Sequence, residues 1–268
     1  MSMPFYVAPE QWMKDKADFA RKGIARGRAL VALVYADGIL ICAENSSTTL
    51  RKINEIYDRI AFAGAGKYNE YDRLRIAGVR HADLKGYSFS RDDVDAQSLA
   101  NAYAQMLGDV FTHEVKPMEV DILVAEVGTE PESDRLFHIL YDGTVIDEDR
   151  YTVLGGEAEA VGNRLKASYE PGLSLEGALR VAVAALTGPD RRVPARDLET
   201  AILDRGNSRR AFRRLRPADV AEALGDQAAD GEEATGEEAA GEERGAATTA
   251  TERSGSSGSE EDTGGSTS

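Results

Sequence analysis

The feature that most constrains this chain is a pair of apolar runs within residues 28–45, RALVALVYADGILICAEN. The runs 30–35 and 39–43 flank Asp37-Gly38, a dipeptide typical of hairpin turns. A strand with one face in water alternates apolar and polar residues, whereas these runs are apolar at every position. The sequence therefore predicts a hairpin that is buried on both faces, with a second sheet on one side and helices on the other.

Residues 226–268 differ in composition from the rest of the chain. They contain no aromatic residue and no Leu, Ile, Val or Met, and they carry 12 acidic residues against 2 arginines. Such a segment cannot bury enough apolar surface to offset its chain entropy, so we predict a disordered acidic tail. Whether the tail is only solvated, or repels nucleic acid or tunes a partner, stays open at this point.

The remaining residues, about 225, are enough for one domain that buries roughly 70–75% of its unfolded surface. No apolar run approaches the ~20 residues of a membrane span, and residues 1–16 lack the basic and apolar regions of a secretory signal. We therefore expect a cytoplasmic protein. The single cysteine, Cys42, falls in a predicted buried strand, which argues against both a disulfide and a reactive thiol.

No metal or cofactor site is predicted. The three histidines, His81, His113 and His138, lie far apart and lack Cys, Asp or Glu at metal-ligand spacing. The stretch AGAGK at 63–67 resembles a phosphate loop, but Ala61 stands where the first glycine belongs and Tyr68 where Ser or Thr belongs. A tight turn from a strand into a helix is the better interpretation.

The order of elements predicts the architecture. A surface helix at 9–27 is followed by three strands, two helices, a run of strands, two helices, two strands and a last helix. We expect a polar connection at 45–56, and a capping box of Ser90 and Asp93 at the start of the second paired helix. Two sheets packed face to face, with a helical pair outside each, would cover every apolar face, so we predict an α+β fold, a four-layer αββα sandwich.

The middle run of strands is expected at 119–127, 134–141 and 150–156, with a turn at Asp142-Gly143. Basic residues cluster at 205–216, RGNSRRAFRRLR. Nucleic-acid binding is one interpretation of such a cluster, but the acidic balance elsewhere opposes it. An edge strand whose charges block unwanted pairing, or that meets an acidic neighbouring subunit, is the favoured one.

These residues resemble a known family. The stretches FYVAPEQWMKDKADFARKGIARG, AENSSTTLRKINEIYDRIAFAGAGKYNEYDRLR, RDDVDAQSLANAYAQ and KPMEVDILVAEV are similar to proteasome core-particle subunits, and most to the α-type subunit of actinobacterial proteasomes. The resemblance covers residues 1–225. It implies the N-terminal-nucleophile hydrolase fold and a ring of seven copies that caps inner rings of catalytic β-type subunits.

The resemblance also implies that this chain does not cleave peptides. In the catalytic type the first strand begins with Thr, whose hydroxyl is the nucleophile and whose free α-amine is the base. Here that strand begins with Arg28-Ala29, after a 27-residue extension. The alternative, an active N-terminal-nucleophile hydrolase released by internal processing, would be revealed by the intact mass of the mature chain.

Two sites are expected from the resemblance. The segment 1–8 would point toward the ring axis, with the gate formed by Ser2, Met3, Pro4, Phe5, Tyr6, Val7 and Ala8. Lys52 matches the family lysine that captures the C-terminal carboxylate of ring-shaped activators. The implied partners are identical α subunits, β subunits, an AAA ATPase ring that unfolds tagged proteins and an ATP-independent ring activator. No nucleic acid or membrane partner is implied.

Overall fold

The computed structural model describes residues 8–207 and 209–225, so most of the predicted gate and the predicted tail lie outside the described residues. All described residues belong to one compact unit. The described helices are α1 (Pro9–Ala25), α2 (Tyr68–Ser88), α3 (Ala96–His113), α4 (Ala158–Ser168), α5 (Leu175–Thr187) and α6 (Pro217–Leu224). The described strands are β1 (Leu30–Tyr35), β2 (Gly38–Glu44), β3 (Ile53–Tyr57), β4 (Ile60–Gly66), β5 (Val120–Glu126), β6 (Arg135–Ile139), β7 (Val145–Glu148), β8 (Tyr151–Leu154), β9 (Leu198–Asp204) and β10 (Phe212–Arg214).

The predicted hairpin is confirmed as β1 and β2, and every residue of both strands is buried. Their side chains divide between two cores because neighbouring residues of a strand point to opposite faces. Leu30 and every second residue after it pack between the two sheets. Val31 and every second residue after it pack beneath α4 and α5. The hairpin is therefore covered on both faces, as its apolar pattern predicted.

The strands form two five-stranded antiparallel sheets, in the orders β10-β9-β2-β1-β8 and β3-β4-β5-β6-β7. Helices α4 and α5, with Val220 of α6, cover the first sheet. Helices α2 and α3 cover the second sheet. The two sheets pack against each other through a third apolar core. The four-layer αββα sandwich is thus confirmed.

Two strands were missed by the sequence interpretation. Residues 45–56 do not form one polar connection, because β3 begins at Ile53 and buries Ile53 and Ile56. Strand β7 was omitted because it is an edge strand whose first three residues are exposed, so no burial pattern marks it. Its apolar residues Val145 and Ile146 are adjacent and both exposed, so β7 lacks the alternation of apolar and polar residues that marks a half-buried strand.

The predicted capping box at the start of α3 is wrong. The carboxylate of Asp95, the residue directly before the helix, accepts a hydrogen bond from the Ser98 amide at 2.7 Å. Ser90 instead caps a short 3-10 turn, Arg91–Asp93, by accepting from the Asp92 amide. A side-chain cap acts from the residue adjoining the first turn, and Asp95 holds that position.

Helix α1 lies on the body of the molecule and begins at Pro9, as predicted, but ends at Ala25. Its residues Ala20 and Ile24 pack against Tyr141. After the helix, the carbonyl oxygen of Gly27 accepts a hydrogen bond from the Gly156 amide at 2.8 Å. A Cβ atom on Gly27 would lie 2.9 Å from the backbone nitrogen of Gly66, so the chain can pass here only without a side chain. None of the described helices is long and apolar enough to span a membrane.

Candidate functional site

The start of β1 and the end of β2 bring Arg28 and Glu44 together. Leu30 pairs with Ala43 across the hairpin, so the residues that flank this pair meet at the open end. The guanidinium of Arg28 forms an ion pair with the Glu44 carboxylate. Arg191 reaches the same carboxylate, with Nη1 at 3.0 Å and Nη2 at 2.9 Å from its two oxygens. The buried carboxylate of Glu44 therefore has two guanidinium partners.

Lys52 lies beside this cluster, directly before β3. Its Nζ atom donates a hydrogen bond to the carbonyl oxygen of Arg28 at 2.7 Å. Burial lowers the pKa of Lys52 to about 8, and the charge of Arg28 lowers it as well, while Glu199 and Glu44 act in the opposite direction. An ammonium has three N–H donors, and among the described residues the Arg28 carbonyl is its hydrogen-bond acceptor. Lys52 thus keeps donors that an incoming anion can use.

Glu199 fixes the backbone on which Lys52 sits. It lies on β9, opposite Ala43, and only 2% of its side chain is exposed. Its carboxylate accepts hydrogen bonds from the amides of Lys52 at 2.9 Å and Ile53 at 3.2 Å, and from the Asn45 side-chain amide at 2.7 Å. Nη1 of Arg214 completes the set at 2.7 Å. One buried carboxylate therefore joins the first sheet to the start of the second.

The charges of this cluster leave an excess of cations. The four cationic side chains are Arg28, Lys52, Arg191 and Arg214. The two carboxylates among them belong to Glu44 and Glu199 and are both buried. A partly buried site with surplus positive charge and unused N–H donors suits a single carboxylate or a similar small anion.

The structure describes some of the predicted site residues and not others. Lys52 falls in the cluster just described, whereas residues 2–7 of the predicted gate lie outside the described residues. Ala8 is exposed and precedes the first turn of α1. The sequence did not indicate Glu44, Glu199 or Arg191, because nothing in it shows which charged residues of three distant elements meet.

The AGAGK stretch forms the predicted turn from β4 into α2. Gly66 ends the strand with φ of +102°, and the Lys67 amide donates to the carbonyl oxygen of Glu119 at 2.9 Å. The Lys67 amide, directly before α2, is therefore engaged by the protein itself, whereas a phosphate loop offers such amides to its ligand. Among the residues that the structure covers, no group of three His, Cys, Asp or Glu side chains could hold a metal ion.

The basic cluster at 205–216 contains β10, which lies at the edge of the first sheet as predicted. Four of the six arginines of the cluster pair with acidic residues in the described part of the chain. Arg210 meets Glu55, with Nε 2.8 Å from Oε1, and Arg214 meets Glu199. Guanidinium groups already held by carboxylates do not form a nucleic-acid surface.

Comparison with known proteins identifies relatives along most of the chain. Residues 24–195 match the family model described as "Proteasome subunit". The chain is 60% identical to "Proteasome subunit alpha" of Acidimicrobium ferrooxidans over 227 residues, which is 85% of this chain and 98% of that protein. It is 54% identical over 242 residues to the protein of the same name from Xylanimonas cellulosilytica, covering 86% and 99% of the two chains. The chain is also 56% identical over 225 residues to the protein of the same name from Kineococcus radiotolerans, which is 80% of this chain and 94% of that protein.

Proposed function

Because this chain belongs to the proteasome subunit family and is an α-type member of it, we propose that it is a non-catalytic, gating and docking subunit of a proteasome core particle. In this proposal seven copies form an outer ring that supports assembly of the β-type rings. The ring controls the access of substrates to the inner chamber and binds ring-shaped activators for ATP-dependent degradation of tagged proteins.

The geometry at the start of β1 carries the non-catalytic part of the proposal. The nucleophile of the catalytic type requires a hydroxyl and a free α-amine on one residue. Here the corresponding backbone continues through Gly27 and Arg28 into α1, and Arg28 and Ala29 have no hydroxyl. Moreover, Lys52 donates its hydrogen bond to the Arg28 carbonyl. These observations support the proposal that this position carries neither the nucleophile nor the free-amine base of the catalytic type.

The cluster around Lys52 supports the docking part. A terminal carboxylate is small, singly charged and able to accept several hydrogen bonds, which matches the surplus positive charge and the free donors of Lys52. We propose that the C-terminal carboxylate of an AAA ATPase ring binds Lys52. An ATP-independent ring activator that presents the same group would use the same site.

The gate is proposed for residues 2–8. Helix α1 holds the start of the described chain at the surface of the body, with Ala8 exposed. Seven apolar segments that leave α1 toward one axis could close a pore of the ring. Ordering a short segment costs modest conformational entropy, so such a closure is readily reversed.

Co-expression with a β-type subunit tests the proposal. We expect native mass spectrometry to show rings of seven copies of each type, and hydrolysis of a fluorogenic peptide by the complex. The chain purified alone should not hydrolyse that peptide, and its intact mass should include residues 1–28. Hydrolysis by the isolated chain, together with a mature N-terminus near residue 28, would instead favour the alternative of an N-terminal-nucleophile hydrolase.

A further inference from the structure

Lys16 is the first buried residue of the described chain. Residues 8–15 are exposed or half-buried, whereas the exposed fraction of Lys16 is 4%. Among the residues that the structure describes, Lys16 is the one cation in the buried class. An ammonium leaves water only where other groups replace its hydration, so its contacts reveal why it is there.

The contacts of Lys16 are main-chain carbonyls at the end of another helix. Its Nζ atom donates to the carbonyl oxygen of Phe111 at 2.9 Å and to that of Glu114 at 2.5 Å. These groups form the C-terminal end of α3. The last four carbonyls of a helix lack amide partners within it and carry the negative end of the helix dipole. The ammonium therefore caps α3 from α1, across about a hundred residues of sequence.

Trp12 covers the outer side of this contact. Its ring centroid lies 4.0 Å from Nζ of Lys16, and Trp12 is one turn earlier on α1. The ring of Phe111 is also near, with its centroid 5.9 Å from Nζ. An ammonium close to aromatic faces gains from the ring quadrupoles, and the gain increases as water is excluded. Trp12, Lys16 and the end of α3 thus form one connected clamp.

We infer that Lys16 is the positioning residue that fixes the first two turns of α1 on the body of the subunit. Besides Trp12, the half-buried Met13 is the apolar residue before Lys16 on α1 that is turned toward the body. The second half of the helix has its own contacts, through Ala20 and Ile24. Loss of the ammonium would therefore release the first turns and leave the remainder of α1 in place. The functional consequence rests on the proposed gate: Lys16 fixes the position of Ala8, at which the described chain begins.

The structural part is tested on the full chain with Lys16→Met. Lys14→Met is the matched control, since Lys14 is exposed on the same helix and the change removes the same charge. Removing hydrogen bonds from a charged group corresponds to at least a roughly tenfold change in a local opening equilibrium. We expect amide hydrogen exchange at residues 13–17 to become roughly tenfold faster in Lys16→Met, with residues 20–24 unchanged and no effect in the control.

Two further variants make the result specific to the clamp. The fluorescence of Trp12, the single tryptophan of the chain, should be quenched more strongly by acrylamide in Lys16→Met than in Lys14→Met. Lys16→Arg keeps a cation that can donate to both carbonyls and should restore slow exchange. If Lys16→Met does not accumulate, Trp12→Leu opens the clamp from its outer side and should accelerate the same amides. Unchanged exchange and quenching in the folded variants would overturn the inference.

The link to the gate is tested in the complex with the β-type subunit. We expect Lys16→Met to raise peptide hydrolysis at constant ring assembly, by part of the increase produced by deleting residues 2–8. If the deletion raises hydrolysis while Lys16→Met accelerates exchange without raising hydrolysis, the positioning role in gating is wrong. If the deletion itself has no effect, the gate proposal fails, and hydrogen exchange alone then decides whether Lys16 holds α1.

Discussion

Nζ of Lys52 lies 2.7 Å from the carbonyl oxygen of Arg28, so the lysine proposed to bind activators contacts the main chain directly before the first strand. The same lysine is attached through its backbone to Glu199. In this chain the ammonium is therefore oriented toward a peptide group that cannot react. We interpret the site as one in which a fixed cation is available for binding rather than for catalysis.

Replacing Lys52 should separate docking from assembly. In Lys52→Ala the surplus donors are lost while the amide of residue 52 can still bond Glu199. We expect an unchanged ring and unchanged hydrolysis of small peptides, but a loss of stimulation by the activator, because a charge-assisted bond to a carboxylate is worth about 1.5–3 kcal/mol. Arg51→Ala, which removes an exposed cation next to it, serves as the control. An activator response equal to that of the wild type would contradict the docking role.

Activator binding should weaken above pH 8. The pKa of Lys52 is lowered to about 8, mainly by burial, so the free site loses its charge as the pH rises through that value. Only the protonated form binds a carboxylate, and the apparent Kd increases as that fraction falls, by about tenfold at pH 9. Binding should also take up protons near pH 8, which isothermal titration in buffers of different ionisation enthalpy measures. Lys52→Arg, whose guanidinium stays charged, should abolish this pH dependence.

The same shift affects folding with a definite sign. The folded state gives up the Lys52 proton at a lower pH than the unfolded state does, so between about pH 8 and 10.5 the unfolded state holds more protons. Stability from this group therefore rises with pH across that window. The unfolding free energy of the wild type minus that of Lys52→Met should therefore rise with pH across that window. A difference that stays constant would show that the pKa is not lowered.

Glu199 should be far more important for stability than an exposed carboxylate. In Glu199→Gln an NH₂ group replaces one carboxylate oxygen. Depending on its orientation, it would face either the Lys52 amide or the Arg214 guanidinium, and that buried donor would lose its acceptor. We expect a loss of about 2–3 kcal/mol in denaturant unfolding. Glu55→Gln, which removes the charge that pairs with the exposed Arg210, should cost clearly less. Equal losses in the two variants would contradict the structural role of Glu199.

Deleting residues 2–8 should raise the rate of peptide hydrolysis by the complex with the β-type subunit, because the proposed gate would be absent. Native mass spectrometry should show the same ring as the full-length chain, and the deleted chain alone should remain inactive. An unchanged rate in intact complexes would show that access is controlled elsewhere.

Much of the fold follows from residue patterns, and the exceptions have physical reasons. The hairpin 30–43 could be predicted because burial on both faces leaves no room for polar residues. Strands β3 and β7 could not, because each is the edge of a sheet and mixes polar and apolar residues. The cap of α3 was misplaced by five residues, since Ser90 and Asp95 offer similar local signals and tertiary packing decides between them.

Of the residues that form the candidate site, the sequence predicted one, Lys52. Lys52 was indicated by resemblance alone, since a lysine in a polar stretch has no sequence feature that marks a pocket. Arg191 lies 147 residues from Glu44 in the sequence, and Glu199 lies 147 residues from Lys52. The charged side chains of Glu44 and Glu199 come together because β2 and β9 pair as neighbours in the first sheet.

The glycines at the end of α1 limit how the subunit can move. Gly156 is hydrogen-bonded to Gly27, and any Cβ atom on Gly156 would come within 2.6 Å of the carbonyl oxygens of Ala25 and Gly27. The two backbones are in direct contact here. Rotation of α1 about this point would therefore produce a steric clash between the backbone of residues 25–27 and that of Gly156. The close approach thus ties the end of α1 to the sandwich, so a displacement of the first turns of α1 would arise before this point rather than at it.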